Sequence, residues 1–480
     1  MAYEEELALG SSADFLLGSS REYSLYVNRT RHLPSEGDGL KDAMRKALHV
    51  MRGRAGSIKT MALSGALTER KLYVHGDASD SVNSITAPFA NNLPLLRPKG
   101  NFGTRVAPTT FSAPRYTEVE RVSYDDLIYL DWEIAPQMPN YDGSVFSPQS
   151  FLPAIPLLLV NGMSGVGVGW NTVILPRKPG DVIEAVLAVL DGKKPKQIKP
   201  HFGWCDPSIE FLGYGENGGS QWRFGGRATI KDTSTAVVTD LPPLLDLEDY
   251  RTTLDGLIEK GKIQDYDDES ADAIKIVVSF KRGTLRGWSE TDLLNHLRLY
   301  QTKTENFVAI SVDGESVRHY RSNGADDEDA VTKYLRWWVE WRFGWYEKRF
   351  ERLVQIDSAE LVLQRSIKAC SDAGFAEKLR SLNGRSEAIA LVKEMARKFG
   401  PTDDQAAQIA GMPGYRWTRE PIAEVEARIR ELEGILAENR AILKSEDRRR
   451  GVYRGELTGA TAGTVKRALA EVEKMRETVK

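Results

Sequence analysis

The chain has 480 residues, of which 41% are hydrophobic and 28% are charged. This composition is typical of a folded globular protein and excludes collagen-like and disulfide-rich chains. At roughly 150 residues per domain, the length predicts about three domains. The formal net charge of −3 would by itself argue against a polyanionic partner, but the distribution of the charges argues the other way.

Zinc-thiolate and membrane proteins are disfavoured by the sequence. Cys205 and Cys370 lie too far apart to form a thiolate zinc site, and no disulfide is expected. The first residues lack the basic and apolar regions of a secretory signal. The longest apolar run, 151–160, contains two prolines and is too short to span a membrane. We therefore expect a cytoplasmic protein without a membrane partner.

Basic residues are concentrated near the N-terminus. Residues 28–59 contain eight basic and three acidic side chains, a local net charge of +5. A second basic stretch lies within residues 97–121. Such a surface can bind a polyanion on a chain of neutral overall charge, because counterion release depends on local contacts. A solvated charged face is the alternative.

Three short helices are predicted in succession. The first begins at Asp38 as N-cap, and apolar residues recur every three or four positions from Leu40 to Met51. The second and third cover about 57–69 and 78–87. The opposite face of the first helix carries Lys41, Arg45, Lys46 and His49. Helices in this order with a basic face favour a helix-turn-helix or winged-helix module.

The remainder of the chain predicts an α+β region followed by long helices. Strands are expected at 154–160, 166–170, 227–231, 236–239 and 273–280, and helices at 183–190 and 290–299. Farther on, aromatic residues recur at helical spacing from Tyr334 to Trp345, and a heptad pattern runs from Ile422 to Leu443. Two long helices joined by a small helical segment would form an antiparallel coiled-coil arm. Core helices of an ordinary bundle are the alternative.

The glycine-rich segment 162–170 is a poor nucleotide-binding motif. It lacks the Gly-Lys-Ser/Thr of a P-loop, and its glycine spacing differs from the dinucleotide fingerprint. The glycines favour a close backbone approach instead. We therefore expect no ATP binding by this chain. The six histidines show no metal-ligand spacing, so no metal site is predicted either.

The pair Arg115-Tyr116 is a candidate for nucleophilic chemistry on phosphate. A phenol has a reference pKa near ~10 and attacks poorly unless cations or a metal assist its ionisation. Attack on a phosphodiester would conserve the bond energy in a phosphotyrosine ester. A neighbouring guanidinium could hold the non-bridging oxygens as charge develops. From the residues alone, an ordinary surface Arg-Tyr pair remains the alternative.

Nine motifs then occur in a single order along the chain. They are Tyr23-Ser-Leu-Tyr-Val, Arg31-His-Leu-Pro, Asp38-Gly-Leu-Lys, Arg45-Lys, His75-Gly-Asp, Gly100-Asn-Phe-Gly-Thr, Ala113-Pro-Arg-Tyr-Thr-Glu, Asn140-Tyr-Asp-Gly and Leu159-Val-Asn-Gly-Met-Ser-Gly-Val-Gly-Val-Gly-Trp. This ordered set resembles the breakage-reunion subunit of type IIA DNA topoisomerases, the family of gyrase A. Within that family the chain is most similar to the medium subunits of T4-type phage enzymes.

The resemblance implies catalytic roles for four residues. Tyr116 corresponds to the tyrosine that becomes linked to a DNA 5′-phosphate, and Arg115 to the arginine that stabilises the transition state. Arg31 and His75 correspond to basic groups that contact the region of the scissile phosphate. The family usually has a second histidine two residues before His75, where this chain has Tyr73.

The resemblance also implies a DNA-binding set. Val166 corresponds to an isoleucine that wedges between base pairs, and the shorter valine would form a shallower wedge. Lys41, Arg45 and Lys46 correspond to positions that bind the DNA backbone. The full predicted set is Lys41, Arg45, Lys46, Val166, Arg29 and Lys59.

The implied architecture is α+β and multidomain. It consists of an N-terminal arm (1–19), a winged-helix DNA-binding and cleavage domain (20–150), an α+β tower domain (151–325), and a long antiparallel coiled-coil arm with a helical dimerisation tip (326–480). A β-pinwheel is not expected, so relaxation and decatenation are predicted rather than negative supercoiling.

The resemblance further implies partners and cofactors. Double-stranded DNA is the substrate, and two copies of this chain would pair. The Mg²⁺ and the ATP would be bound mainly by a partner subunit with TOPRIM and ATPase domains, giving a heterotetramer. Two alternatives remain open, a non-catalytic architectural DNA-binding protein of the same fold and a tyrosine recombinase or nickase.

Overall fold

The computed structural model describes residues 18–324 and 327–478. The predicted N-terminal arm, 1–19, lies almost wholly outside the described residues. The chain divides into two compact units. The first contains the described residues up to Arg342 and again from Arg454 onward, and the second is Phe343–Tyr453.

The first unit combines helices with several small sheets. Its helices are Ser19–Val27, Asp42–Arg52, Thr60–Glu69, Ser79–Thr86, Asp126–Tyr129, Leu157–Asn161, Pro179–Leu190, Leu247–Glu259, Glu290–His296 and Ala462–Thr478, with π-helical turns at Asn28–His32 and Leu457–Thr461 and a 3-10 turn at Trp132–Ile134. No helix within the described ranges is long and apolar enough to cross a membrane.

The strand pairs within the described residues are antiparallel, and an isolated parallel bridge joins Ser35 to Ile310. Three-stranded sheets are formed in the orders Ile58–Lys59, Glu118–Glu120, Arg97–Lys99 and Tyr300–Thr304, Ser220–Gly225, Ser208–Tyr214. A four-stranded sheet has the order Arg227–Ile230, Thr235–Asp240, Ile276–Ser279, Asp265–Asp268. Hairpins pair Gln137–Pro139 with Phe146–Pro148, Met163–Val166 with Asn171–Ile174, and Phe307–Ile310 with Val317–Tyr320.

The three successive N-terminal helices are confirmed, but the start of the first is not where the sequence predicts it. The helix begins at Asp42, with Lys41 as a cap residue that makes no side-chain cap bond. Asp38 is buried four residues earlier. The predicted N-cap was therefore wrong, because Asp38 makes tertiary hydrogen bonds instead of capping the helix.

The strand predicted at 154–160 was also wrong. The apolar run forms the short helix Leu157–Asn161 after Pro156, and its first four residues are buried. A short, fully buried apolar run does not distinguish a strand from a helix. The strands occur on either side of the following glycines, which form the turn of a hairpin, and the predicted strand at 166–170 is largely that turn.

The aromatic repeat at the start of the long helix Ala330–Asp372 packs within the first unit. The hydroxyl of Tyr334 donates to the carbonyl of Glu36 at 2.9 Å, and the indole N–H of Trp338 donates to that of Gly37 at 2.8 Å. Both rings are fully buried. This part of the repeat therefore forms a globular core instead of an arm seam.

In the second unit, the later part of the helix Ala330–Asp372 packs against the helix Arg419–Lys444. Beyond Asp372, the helices of this unit are Phe375–Lys378, Arg385–Met395, Asp403–Ala410, Arg419–Lys444 and Glu446–Glu456, with 3-10 turns at Leu379–Ser381 and Gly414–Trp417. Asn439 donates to Asp357, and Lys368 lies 3.2 Å from Glu426. These contacts run in opposite directions along the two helices, so the pair is antiparallel.

The heptad residues of the helix Arg419–Lys444 form its apolar contact with the facing helix. Leu432 and Leu436 are buried together with Leu361. Asn439, the polar position in the predicted seam, is satisfied by a carboxylate of the facing helix at 3.0 Å. A polar residue in such a seam fixes the register of the two helices.

Candidate nucleic-acid cleavage site

Tyr116 lies on a short, well-anchored loop. The tyrosine loop, residues 113–117, follows the basic stretch and precedes the strand Glu118–Glu120. Thr117 accepts a hydrogen bond from the backbone N–H of Thr60 at 3.0 Å and donates one from its hydroxyl to that of Thr60 at 2.8 Å. The Tyr116 side chain is 66% exposed. The fold thus fixes the backbone and leaves the phenol in solvent.

Arg115 lies over the ring of Tyr116. Its guanidinium carbon is 4.6 Å from the ring centroid. Among the described residues, no carboxylate forms an ion pair with Arg115. The other cations of this stretch do have such partners, in the pairs Arg97–Glu471, Lys99–Glu120, Arg105–Asp240 and Arg121–Asp125. Arg115 is therefore the cation of the stretch that can accept an anionic ligand without losing a carboxylate.

Arg31 and His75 are brought together, and Tyr26 joins them. A terminal nitrogen of Arg31 lies 3.2 Å from Nδ1 of His75, and the hydroxyl of Tyr26 lies 3.0 Å from Nε2. Tyr73 meets the imidazole edge to face at 5.4 Å. Partial burial, and then the positive charge of Arg31, lower the pKa of His75. This shift favours the neutral imidazole.

Val166 lies at the tip of the glycine hairpin, formed by Met163–Val166 and Asn171–Ile174. Its side chain is 78% exposed. A Cβ on Gly165 would lie 2.2 Å from the carbonyl oxygen of His32, and one on Gly167 would lie 2.1 Å from Oδ1 of Asn28. The expected close backbone approach is therefore confirmed at both glycines. These close contacts hold the hairpin so that the apolar side chain of Val166 lies in solvent.

Asn28 and Lys41 secure this hairpin. The side chain of Asn28 donates to the carbonyl of Val168 at 3.0 Å and accepts from its N–H at 2.8 Å. Nζ of Lys41 donates to the carbonyl of Ser164 at 3.0 Å, and burial lowers the pKa of this amine. The sequence offers no signal for Asn28, whose partner is 140 residues away.

Arg45 is not a surface cation. Its guanidinium donates to both oxygens of Asp38, at 2.6 and 2.9 Å, and its side chain is 7% exposed. Lys46 donates to Asp42 at 2.7 Å and is mostly buried. The expectation that the helix Asp42–Arg52 presents a free basic face must be corrected, because Asp38 and Asp42 pair with Arg45 and Lys46.

The remaining predicted DNA-binding residues have different surroundings. Nζ of Lys59 lies 3.0 Å from a carboxylate oxygen of Glu118. Arg29 makes no ion pair within the described part of the chain, and its stem lies against the turn at Gly314. Arg31 and Lys41 line a cleft of about 720 Å³ together with Arg105 and Lys303.

The predicted catalytic residues form two groups. Arg115 contacts Tyr116, and Arg31 contacts His75. Within residues 18–324 and 327–478, no hydrogen bond, ion pair or ring contact joins one group to the other. Tyr26 belongs to the second group, although the sequence motif that contains it suggested no role for its hydroxyl.

The described residues do not provide a metal site. No group of three or more His, Cys, Asp or Glu side chains among them is arranged to hold a metal ion. On the strand after Tyr116, the carboxylates of Glu118 and Glu120 are paired with Lys59 and Lys99. The donor set beside the tyrosine is therefore cationic and hydroxylic, which does not fit Mg²⁺.

Comparison with known proteins identifies the family. The family model for the A-type subunit of DNA gyrase/topoisomerase IV matches residues 31–458. DNA topoisomerase 2 of Bombyx mori is 28% identical over 367 residues, which are 73% of this chain and 23% of that protein. DNA topoisomerase 2 of Acanthamoeba polyphaga mimivirus is 30% identical over 250 residues, 50% of this chain and 19% of that protein. The chain thus spans about a fifth to a quarter of these relatives.

A solved structure shows the same fold. The DNA-binding, cleavage and re-ligation domain of Plasmodium falciparum topoisomerase II matches with a TM-score of 0.79 and 21% identity, covering 97% of this chain and 65% of that one. The α+β class is thereby confirmed. The family model covers most of the residues described above, and the chain belongs to the family of DNA gyrase/topoisomerase IV A-type subunits.

Proposed function

We propose that this chain carries the DNA cleavage and religation site of a type IIA topoisomerase, with Tyr116 as the nucleophile. The observation that carries the proposal is an exposed phenol on an anchored loop, beside an arginine that has no carboxylate partner among the described residues. Membership of the DNA gyrase/topoisomerase IV family supports the same function. The substrate is double-stranded DNA.

The chemistry is a reversible transesterification. The phenolic oxygen of Tyr116 attacks phosphorus, a bond forms from that oxygen to the 5′-phosphate, and the bond from phosphorus to the 3′ oxygen breaks. The phenol loses its proton and the departing 3′ oxygen gains one. Arg115 stabilises the charge on the non-bridging oxygens. Attack by the 3′ hydroxyl on the phosphotyrosine reseals the strand without another source of energy.

Strand passage requires two such sites. Two copies of this chain pair, their two Tyr116 residues cut opposite strands, and a second duplex passes through the break. The antiparallel helices of the second unit form the coiled-coil arm, and the segment between them forms the dimerisation tip. The helices Asp42–Arg52, Thr60–Glu69 and Ser79–Thr86 form the winged-helix core, with 20–150, 151–325 and 326–480 as functional domains.

The DNA surface includes the glycine hairpin and the cations beside it. Val166 enters the base stack from the hairpin tip. Arg29, Arg31 and Lys41 contact the backbone, and Lys46 and Lys59 contribute where their carboxylate partners release them. Arg45 is left out of this surface because it is buried.

The ATPase and TOPRIM domains belong to a partner subunit, as in the T4-type phage enzymes that the sequence resembles. That subunit binds ATP and most of the Mg²⁺, and the assembly relaxes and decatenates DNA in the cytoplasm. The absence of a P-loop sequence from this chain supports the assignment.

The decisive experiment combines this chain with its ATPase partner, Mg²⁺ and supercoiled plasmid, followed by SDS and protease. Wild type should yield protein-linked linear DNA. Tyr116→Phe should yield none, whereas Tyr141→Phe, which removes a similarly exposed hydroxyl, should match wild type. Equal cleavage by Tyr116→Phe and wild type would overturn the assigned nucleophile. DNA binding without cleavage by wild type would favour an architectural protein.

A further inference from the structure

Three side chains form a hydrogen-bonded chain whose proton positions can be assigned. The Arg31–His75–Tyr26 chain places a guanidinium on one nitrogen of the imidazole and a phenol on the other. A guanidinium has donors but no acceptor. Nδ1 of His75 must therefore accept from Arg31 through its lone pair.

The position of the proton on the second nitrogen, Nε2, follows from the lone pair on Nδ1. A neutral imidazole with a lone pair on Nδ1 carries its proton on Nε2. Nε2–H then donates to the hydroxyl oxygen of Tyr26 across 3.0 Å. Protonation of Nδ1 would place a hydrogen against the guanidinium and remove the acceptor that Arg31 uses.

We infer that Tyr26 is a positioning residue for DNA cleavage: its hydroxyl accepts from Nε2–H of His75 and fixes the imidazole ring, so that the lone pair on Nδ1 orients Arg31 toward a DNA phosphate. This inference rests on the proposed function. Arg31 uses one donor on His75, and its side chain makes no other hydrogen bond to a described residue. Its remaining N–H groups can thus bind phosphate oxygens.

The cavities that these residues line agree with a contact that runs from His75 through Arg31 to the phosphate. Arg31 lines the cleft of about 720 Å³ that it shares with Lys41, Arg105 and Lys303. Tyr26 and His75 line a different cavity, of about 280 Å³. His75 therefore meets an anion in the larger cleft through Arg31.

The inference predicts the sign of a pH dependence. The groups that face His75 are Arg31, Tyr26, Tyr73, Asp42 and Lys46. Of these side-chain types, only imidazole has a reference pKa between about 5 and 8. As the pH falls toward the lowered pKa of His75, protonation should release Arg31 and weaken cleavage. An imidazolium that gripped phosphate directly would strengthen it.

The first test measures the tautomer in the full chain without DNA, by ¹⁵N NMR of ¹⁵N-histidine-labelled protein. His75→Asn assigns the signals. Wild type and Tyr23→Phe, which changes an exposed tyrosine of the same helix, should show a protonated Nε2 and an unprotonated Nδ1. Tyr26→Phe frees the ring to turn away from Arg31 and should therefore show mixed tautomers. A protonated Nδ1 in wild type at pH 7.5 would overturn the inference, whether or not the chain cleaves DNA.

The second test follows covalent DNA cleavage by the assembled enzyme between pH 5.5 and 8. Tyr26→Phe should cleave about two- to tenfold less than wild type at pH 7.5, the effect of one hydrogen bond, and Tyr23→Phe should be unchanged. His75→Ala should lose roughly 10- to 100-fold, because a bond to a charged group is stronger. His75→Asn, which can place an amide oxygen where Nδ1 lies, should recover most of that loss.

These outcomes separate the inference from the proposed function. If Tyr116→Phe abolishes cleavage but Tyr26→Phe behaves like Tyr23→Phe, the positioning role is wrong and the nucleophile stands. Asparagine no better than alanine at position 75, or cleavage that rises on acidification, would likewise overturn it. If Tyr116→Phe still cleaves, the proposed function fails, and the tautomer measurement alone decides the hydrogen-bonded chain.

Discussion

Arg45 and Arg115 lie in the two basic stretches of the same unit, and their surroundings are opposite. Arg45 is buried and forms a bidentate pair with Asp38. Arg115 lies over an exposed phenol, and no described carboxylate pairs with it. A buried pair is committed to the fold, whereas a cation without a partner gains most from an incoming anion. Charge counted along the sequence cannot separate these two roles.

The difference extends to the rest of both stretches. The paired cations include Lys46, Lys59, Lys99 and Arg105. Arg31 is held by a neutral imidazole, which orients it without cancelling its charge. A polyanion is therefore expected to be bound by fewer residues than the eight basic side chains of residues 28–59, and substitutions in the two groups should act on different quantities.

The largest effect is expected where the pair is buried. Arg45→Met should lower the free energy of unfolding by about 3–5 kcal/mol, because it leaves the Asp38 carboxylate buried without its cation. Urea unfolding of the full chain measures the change. Arg52→Met, at the end of the same helix, removes an arginine that stacks on Trp132 and should cost about 1 kcal/mol or less. Equal losses in the two variants would show that the burial of the pair does not matter.

At Arg115 the effect should fall on the reaction and leave stability intact. Arg115→Lys should reduce covalent cleavage by roughly 10²–10³-fold, since an ammonium cannot replace the planar fork at the developing charge. The urea midpoint should not move, because no ion pair is lost. Arg121→Lys keeps a charge beside Asp125 and should cleave within about twofold of wild type. A mild loss at position 115, below tenfold, would contradict a transition-state role.

The sequence predicts the local features of this comparison well. Helical periodicity locates the helix Asp42–Arg52 to within a few residues, and the motif containing Tyr116 selects a tyrosine that is exposed in the structure. Both depend on neighbouring residues. The heptad pattern likewise locates Leu432 and Leu436 on the buried side of their helix.

The contacts that the sequence does not predict are those with residues far away along the chain. The sequence predicts Asp38 as a helix cap, but its carboxylate accepts from the backbone N–H of Phe151, 113 residues away. The hydroxyl of Tyr26 meets His75 across 49 residues. The spacing of Trp338 is the same in a coiled-coil arm and in a globular core. Its bond to the carbonyl of Gly37 places it in the core of the first unit.

The smallest effect compares a cation that has no carboxylate partner with one that does. Arg31→Gln should reduce the magnitude of the negative slope of log affinity against log salt concentration for duplex DNA by about 0.9, the contribution of one phosphate contact. Lys46→Gln should change the slope less, because Lys46 is already neutralised by Asp42 at 2.7 Å. Fluorescence anisotropy titrations over a range of salt concentrations measure both slopes. If the magnitude of the slope falls equally in the two variants, DNA draws Lys46 away from its carboxylate, and a pair seen in the free protein does not exclude its cation from the DNA surface.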